Sequence, residues 1–197
     1  RKPAPVQVSW LGYPNTTGLK TIDYRIVDGY TDPPGVTDPF YTEKLVRMPE
    51  SFLCYLPDKD SPAAGGLPAL KAGHITFGSF NAMPKINEPL LELWSEILLS
   101  VPDSRLLLKN KAMGESSAQE HLVTAFEKAG IAPERLELVG WVPDHRGQMK
   151  TYGRVDIALD TFPYHGTTTT CEALWMGVPV VTLAGKTHVS RVGVSLL

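Results

Sequence analysis

The sequence predicts an α/β chain whose larger part is a doubly wound parallel sheet. Three observations carry the prediction. From His74 onward, short apolar runs alternate with amphipathic helical stretches, the pattern of strands joined by crossover helices. Those runs are mostly continuous and do not alternate with polar residues, as in strands covered on both faces. The composition is that of an ordinary globular chain: 43% hydrophobic and 20% charged over 197 residues, room for one large domain or a small one plus part of another.

In order, residues 1 to about 66 contain short β-like runs at 6–12 ("VQVSWLG"), 22–28 ("IDYRIVD"), 43–48 ("EKLVRM") and 52–56 ("FLCYL"). The turn chemistry of "YPNTTG" and "TDPPGVTDP" separates them. "DKDSPAAGGLPAL" (58–70) is rich in Pro, Gly and Ser and reads as a linker. Then come a strand at 74–80, a helix at 87–101 and a strand at 104–110. That helix puts Leu90, Leu91, Trp94, Ile97, Leu98 and Val101 on one face. A helix at 117–130 follows, with Gly130 placed to end it. A strand at 135–141, a helix at 144–155, a strand at 156–160, a helix at 168–176 and a strand at 178–183 complete the series.

The bulk numbers exclude some classes. A formal net charge of −2 gives no basic face for a nucleic-acid partner. No apolar run approaches the ~20 residues of a membrane span. Cys54 and Cys171 are far apart and match no disulfide or metal spacing, so a reducing compartment is the plain reading. No pair of histidines has metal-ligand spacing, and no metal is expected. "SRVGVSLL" at the end reads as a helix just starting, so the chain is expected to be a piece of something larger.

Ligands of a doubly wound sheet bind beyond the carboxyl ends of its strands. The strand at 156–160 ends at Asp160, and "TFPYHG" leads directly into the next helix, making 161–170 the expected floor of a crevice. Four threonines in a row make a poor helix interior. A helix N-terminus, however, offers unpaired N–H groups and the positive end of the dipole. Thr167, Thr168, Thr169 and Thr170 add hydroxyls there, and Gly166 lets the backbone approach a ligand closely. The run suits a phosphate or diphosphate. It equally suits plain helix capping, and the residues alone leave both readings open. Glu172, one turn further in, is placed to accept from ribose hydroxyls. His165 and His188 fall on expected crevice loops.

Lys85, in the loop of "FGSFNAMPKIN" (77–87), follows another strand end and is placed to neutralise a diphosphate; a solvated surface lysine is the alternative. Leu11 and Gly12 of "WLGYPNTTG" form a further strand-to-glycine loop, which reads first as a turn. No G-x-G-x-x-G or Walker loop is present, so neither a dehydrogenase nor a P-loop NTPase is favoured.

The stretches "RKPAPVQVSWLGYPNTTGLKTIDYRIVD", "ITFGSFNAMPKIN", "VDIALDTFPYHGTTTTCEALWMGVPVVTLAG" and "RVGVSLL" closely resemble the SPINDLY / O-GlcNAc transferase family, over essentially the whole chain. The resemblance implies a GT-B glycosyltransferase with two Rossmann-like lobes. Residues 1–66 would end the N-terminal lobe, and 67–197 would form most of a C-terminal nucleotide-sugar lobe. It implies inverting transfer of a sugar to Ser/Thr of intracellular, cytoplasmic (in a eukaryote nucleocytoplasmic) proteins, with TPR repeats N-terminal to the catalytic region. UDP-GlcNAc is the expected donor and GDP-fucose the alternative; no cofactor or metal is implied.

By the same resemblance, Lys85 contacts the diphosphate, as do Thr168 and Thr169, while Glu172 holds the ribose. Leu11 and Gly12 lie near the donor sugar. At Thr167 and His165 the run departs from animal O-GlcNAc transferases, which carry His and Asn there, and "GTTTTCE" is closer to SPINDLY. "VPDHRGQMK" has no clean match to the family's base-stacking histidine, since His145 is out of register. The acceptor-side base is expected outside this chain, which alone is expected to be inactive. Two other readings are a glycosyltransferase acting on a small molecule or glycan and a non-catalytic nucleotide-binding scaffold.

Overall fold

The computed structural model describes residues 1–197. In chain order the elements are β1 (Val8–Ser9), β2 (Tyr24–Asp28), β3 (Lys44–Met48), α1 (Ala69–Ala72), β4 (Thr76–Ser79), α2 (Glu88–Ser100) and β5 (Arg105–Lys109). There follow α3 (Ser116–Lys128), β6 (Leu136–Val139), α4 (His145–Tyr152), β7 (Ile157–Leu159), α5 (Thr168–Trp175), β8 (Val180–Val181) and α6 (Val192–Leu196). The chain divides into two compact units, each built from separated segments. Unit 1 holds Arg1–Leu56, Pro163–Thr167 and Leu183–Leu197; unit 2 holds Pro57–Phe162 and Thr168–Thr182.

Unit 2 contains a five-stranded parallel sheet in the order β6-β5-β4-β7-β8. Three consecutive leucines in β5 show how it is covered. Leu106 and Leu108 join a core with Trp94 and Leu98 of α2 and Leu122 and Phe126 of α3. Leu107, pointing the other way because strand side chains alternate, joins Met149 and Tyr152 of α4 and Ala173 of α5. All three leucines are fully buried, which explains the continuous apolar runs of the sequence.

Local chemistry fixes the ends of these elements. Asn87 caps α2, its Oδ1 accepting from Leu90 N–H at 3.1 Å. Asp144 caps α4 by accepting from Gly147 N–H at 2.7 Å. Gly130, at φ +83°, ends α3: its N–H donates to Glu127 O and Ile131 N–H donates to Phe126 O. The buried carboxylate of Asp156 accepts from Ala69 N–H and Thr76 N–H, each at 2.8 Å, and so pins the start of β4. The C-terminal carbonyls of α2 are taken by the Arg135 side chain, which donates to Leu98 O at 2.7 Å and Val101 O at 3.1 Å.

Unit 1 contains the parallel sheet β1-β2-β3. Its centre is polar. Asp28, fully buried at the end of β2, accepts from Thr31 N–H at 2.7 Å, Phe52 N–H at 2.9 Å and the Ser195 hydroxyl at 2.6 Å. Nearby, Asp32 and His188 pair at 2.6 Å, both buried.

One expectation is corrected. The run at 52–56 is not a strand: Phe52 and Leu53 give their N–H groups to the Asp28 carboxylate and the Ser51 hydroxyl, and Leu56 is 89% exposed. The first change of unit along the chain falls at Leu56/Pro57. Segments 163–167 and 183–197 belong with unit 1, because His165, His188, Arg191 and Ser195 bond within it.

Candidate functional site

The sheet of unit 2 changes winding direction between β4 and β7, which pair at Phe77↔Ile157 and Gly78↔Ala158. Ligands of doubly wound sheets bind at such a switch point, beyond the carboxyl ends of the two strands. There β4 ends at Ser79, followed by Phe80 and Asn81, Asp160 follows β7, and α5 begins eight residues after Asp160 at Thr168. A pocket lined by Ser79, Asn81, Tyr152, Asp160, Thr169 and Thr170, among others, opens at this point. The Thr169 hydroxyl donates to Asn81 Oδ1 at 3.2 Å, and Asn81 O accepts from Asn110 Nδ2 at 3.2 Å. The first turn of α5 is thereby tied to the end of β4. Ser79 Oγ is buried there without a hydrogen-bond partner, an arrangement that costs about 1–3 kcal/mol until something fills it.

Lys85 ends a single 3₁₀ turn, Met83–Lys85, and is half-buried. Burial pushes its ammonium pKa below the ordinary lysine value, while the charge of Asp160 opposes that shift. Asp160 is itself held, accepting from Thr161 N–H at 2.8 Å and the Thr182 hydroxyl at 3.0 Å. Lys85, Thr168, Thr169, Thr170 and Glu172 therefore belong to one unit around one switch point. Thr168 is exposed, Thr169 half-buried and Thr170 buried. Glu172 is only 5% exposed, and its Oε2 accepts from the Tyr152 hydroxyl at 2.9 Å.

The remaining expected residues fall in unit 1. Thr167 immediately precedes α5 and is half-buried, and Gly166 is buried. Leu11 has φ +64° and Gly12 N–H donates to Trp10 O at 2.8 Å, a γ-turn strained for a residue with a side chain. His165 is corrected as a ligand-binding candidate. It is fully buried; Nδ1 accepts from Gly193 N–H and Nε2 lies against Leu183 O, each at 3.0 Å. An Nδ1 that accepts a backbone N–H carries no proton, so Nε2 donates, and both nitrogens are committed to the fold. His188, expected on a crevice loop, is buried against Asp32.

Two side chains that interact with Glu172, Lys109 and Tyr152, were not singled out in the sequence. Lys109 ends β5, so the strand-end rule that selected Asp160 would have found it. Tyr152 ends α4 and touches Glu172 only through tertiary packing, which has no local signal.

A helix N-terminus, threonine hydroxyls and a lysine around a switch point are equipped to hold a polyanion. No three His, Cys, Asp or Glu side chains gather as a metal site, and no helix is long and apolar enough to cross a membrane. The model of glycosyl transferase family 41 matches residues 1–59 and 64–197. The chain belongs to glycosyl transferase family 41.

It is 51% identical, over its whole length, to the probable UDP-N-acetylglucosamine–peptide N-acetylglucosaminyltransferase SPINDLY of Petunia hybrida, covering 21% of that protein. It is 32% identical to the probable enzyme SEC of Arabidopsis thaliana, with 99% of this chain and 20% of that protein covered. Among solved structures it superposes on a mutant O-GlcNAc transferase of Thermobaculum terrenum with a TM-score of 0.94 and 44% identity. That match covers all of this chain and 37% of the other. The fold class is α/β of the GT-B type, with the doubly wound sheet of unit 2 as its Rossmann-like part. The chain spans about a fifth of the length of the curated relatives it matches.

Proposed function

We propose that the protein containing this chain is an inverting O-glycosyltransferase that moves a sugar from a nucleotide diphosphate to Ser/Thr hydroxyls of other proteins. The observation that carries the reading is Lys85, half-buried beside Asp160 in the unit whose helix α5 begins with three threonines. In the proposed reaction an acceptor hydroxyl attacks the anomeric carbon, the C–O bond to the β-phosphate breaks, and the nucleoside diphosphate leaves with its electron pair. Lys85 and the N–H groups and hydroxyls at Thr168–Thr170 stabilise the departing charge, with Thr167 at the helix entrance. Lysine and helix dipole here do what a metal does in other transferases, so none is invoked. Glu172 holds the ribose, and Leu11 and Gly12 lie by the donor sugar. Residues 1–66 and 67–197 correspond to the end of an N-terminal lobe and most of a C-terminal lobe. The acceptor-side base and a TPR array lie elsewhere in the full protein.

UDP-GlcNAc is the donor named by the relatives. GDP-fucose is kept as a second donor because the family resemblance implies it for plant SPINDLY, and identity to SPINDLY, 51%, exceeds identity to SEC, 32%. The test is donor profiling of the full-length protein with both sugar nucleotides, repeated with Lys85→Met. Removing one charge-stabilising donor lowers kcat by about 100-fold or more. Transfer from neither donor, or an unchanged kcat in Lys85→Met, refutes the reading.

A further inference from the structure

Arg25 stands in β2, the middle strand of the unit 1 sheet, paired in register with Ser9 at the end of β1. It is 1% exposed. A charge so deeply buried is ordinarily paired, since withdrawing it from water is costly. Arg25 forms no ion pair, and its bonds go to neutral groups. Nη1 donates to Ser9 Oγ at 3.3 Å and Nη2 to Tyr13 O at 2.5 Å, while Nε is buried with no partner. The guanidinium carbon stands 5.8 Å from the centroid of the Tyr41 ring.

The two groups that Arg25 holds are the ends of one short loop. Between Ser9 and Tyr13 lie only Trp10, Leu11 and Gly12, the strained turn in which Leu11 has φ +64°. Trp10 is fixed separately, its Nε1 donating to Phe52 O at 3.0 Å. The side chains of Trp10, Leu11 and Tyr13 are exposed, so burial does not pin the turn. Water can satisfy a hydroxyl or a carbonyl in an exposed loop as a guanidinium does. It cannot bond both ends of the loop with one rigid, planar group, and that is what a guanidinium fork supplies. Backbone strain persists only where the surrounding structure over-determines it, and it collects at ligand sites. A buried, unpaired cation bonded to both ends of a strained, exposed turn is such an over-determining device.

We propose that Arg25 is a positioning residue for the donor sugar: by gripping Ser9 and Tyr13 it holds the Leu11–Gly12 turn in the strained form that meets the sugar. Arg25 is too deeply buried to reach a ligand itself and acts through the loop. This inference rests on the reading that Leu11 and Gly12 lie by the donor sugar.

The test uses the full-length protein, with transfer from UDP-GlcNAc and GDP-fucose measured beside calorimetric binding of UDP and GDP, which carry no sugar. Arg25→Met is expected to lower kcat/KM for the sugar nucleotide by about ten-fold or more, the scale of effect a misplaced binding group produces. Binding of the sugar-free nucleotide is expected to stay at the wild-type level. Arg25→Lys keeps the charge but not the two-ended grip, and is expected to behave as Arg25→Met does. Glycine adopts positive φ without cost, so in a Leu11→Gly background the loss caused by Arg25→Met is expected to shrink by about three-fold or more. Wild-type kcat/KM in Arg25→Met or Arg25→Lys overturns the proposal, as does an equal loss in the two backgrounds. A parallel loss of UDP and GDP binding also overturns it, because Arg25 would then support the fold at large. If the wild type transfers neither sugar, the donor reading falls first and the role of the loop with it.

Discussion

Gly78 sits in the middle of β4, paired with Leu107 on one side and Ala158 on the other. A Cβ there would lie 2.5 Å from Val155 Cγ2 and 2.8 Å from Cγ1. Carbon atoms settle about 3.5–4.0 Å apart, so Gly78→Ala requires roughly 1 Å of movement. Val155 is 2% exposed and stiff at χ1, leaving it little room to turn away. The strand is held on both edges, so it shifts only by straining two ladders. Overpacking of this kind costs about 1–3 kcal/mol. Val155→Ala alone costs about 2 kcal/mol for two lost methyls and the cavity they leave. In the double variant the methyl added at position 78 occupies that cavity, so the combined cost falls below the sum by about 1–3 kcal/mol. Urea denaturation of the wild type, both single variants and the double variant measures this coupling. On the proposed function, nucleotide affinity is expected to follow it, because Gly78 and Val155 line the same pocket as Ser79 and Thr169. Strictly additive costs would show that the clash does not govern the position.

Two further outcomes are expected. In unit 1, Glu43 accepts from Thr17 N–H at 2.6 Å, from the Thr17 hydroxyl and from the Thr16 hydroxyl at 2.6 Å. Burial pushes the Glu43 carboxyl up, but the bonds from Thr16 and Thr17 outweigh it and hold the pKa at about 2, against an ordinary 4.5. A depressed carboxyl stabilises the fold above its unfolded pKa, and that contribution is lost as pH falls from about 4.5 toward 2. The stability difference between wild type and Glu43→Gln, followed by denaturation from pH 6 downward, should shrink by on the order of 3 kcal/mol; a difference constant with pH counts against the account. In unit 2, Asn87 both caps α2 and donates from Nδ2 to Phe162 O at 2.7 Å. Asn87→Ala should cost about 2 kcal/mol, and Asn87→Ser, which keeps the cap and loses the second bond, about half that. Equal thermal shifts for the two variants would show that the cap contributes nothing.

The alternation of strands and helices after His74 was legible because burial on both faces of β5 writes itself as consecutive leucines. The caps at Asn87, Asp144 and Gly130 were legible for a different reason, since each acts within a few residues of itself. The strand-end rule found Asp160, Lys85 and the α5 threonines from sequence order alone. The failures share one cause, which is distance along the chain. Nothing near Phe52 announces that its N–H will meet Asp28, 24 residues earlier. Nothing near His165 announces partners 18 and 28 residues away, and so its ring looked available. Arg135, which takes carbonyls at the end of α2 in place of a local cap, lies 37 and 34 residues beyond them.

The segmented make-up of unit 1 has a consequence during synthesis. Asp28 waits for Ser195, 167 residues later, and Asp32 waits for His188, 156 residues later. At about 5–20 residues per second, the ribosome needs roughly ten to thirty seconds to deliver those partners. Throughout that interval β2 and the turn after it carry two carboxylates destined for full burial, so unit 1 stays open while the sheet of unit 2 assembles strand by strand. Residues that emerge late are the ones that seal those that emerged early.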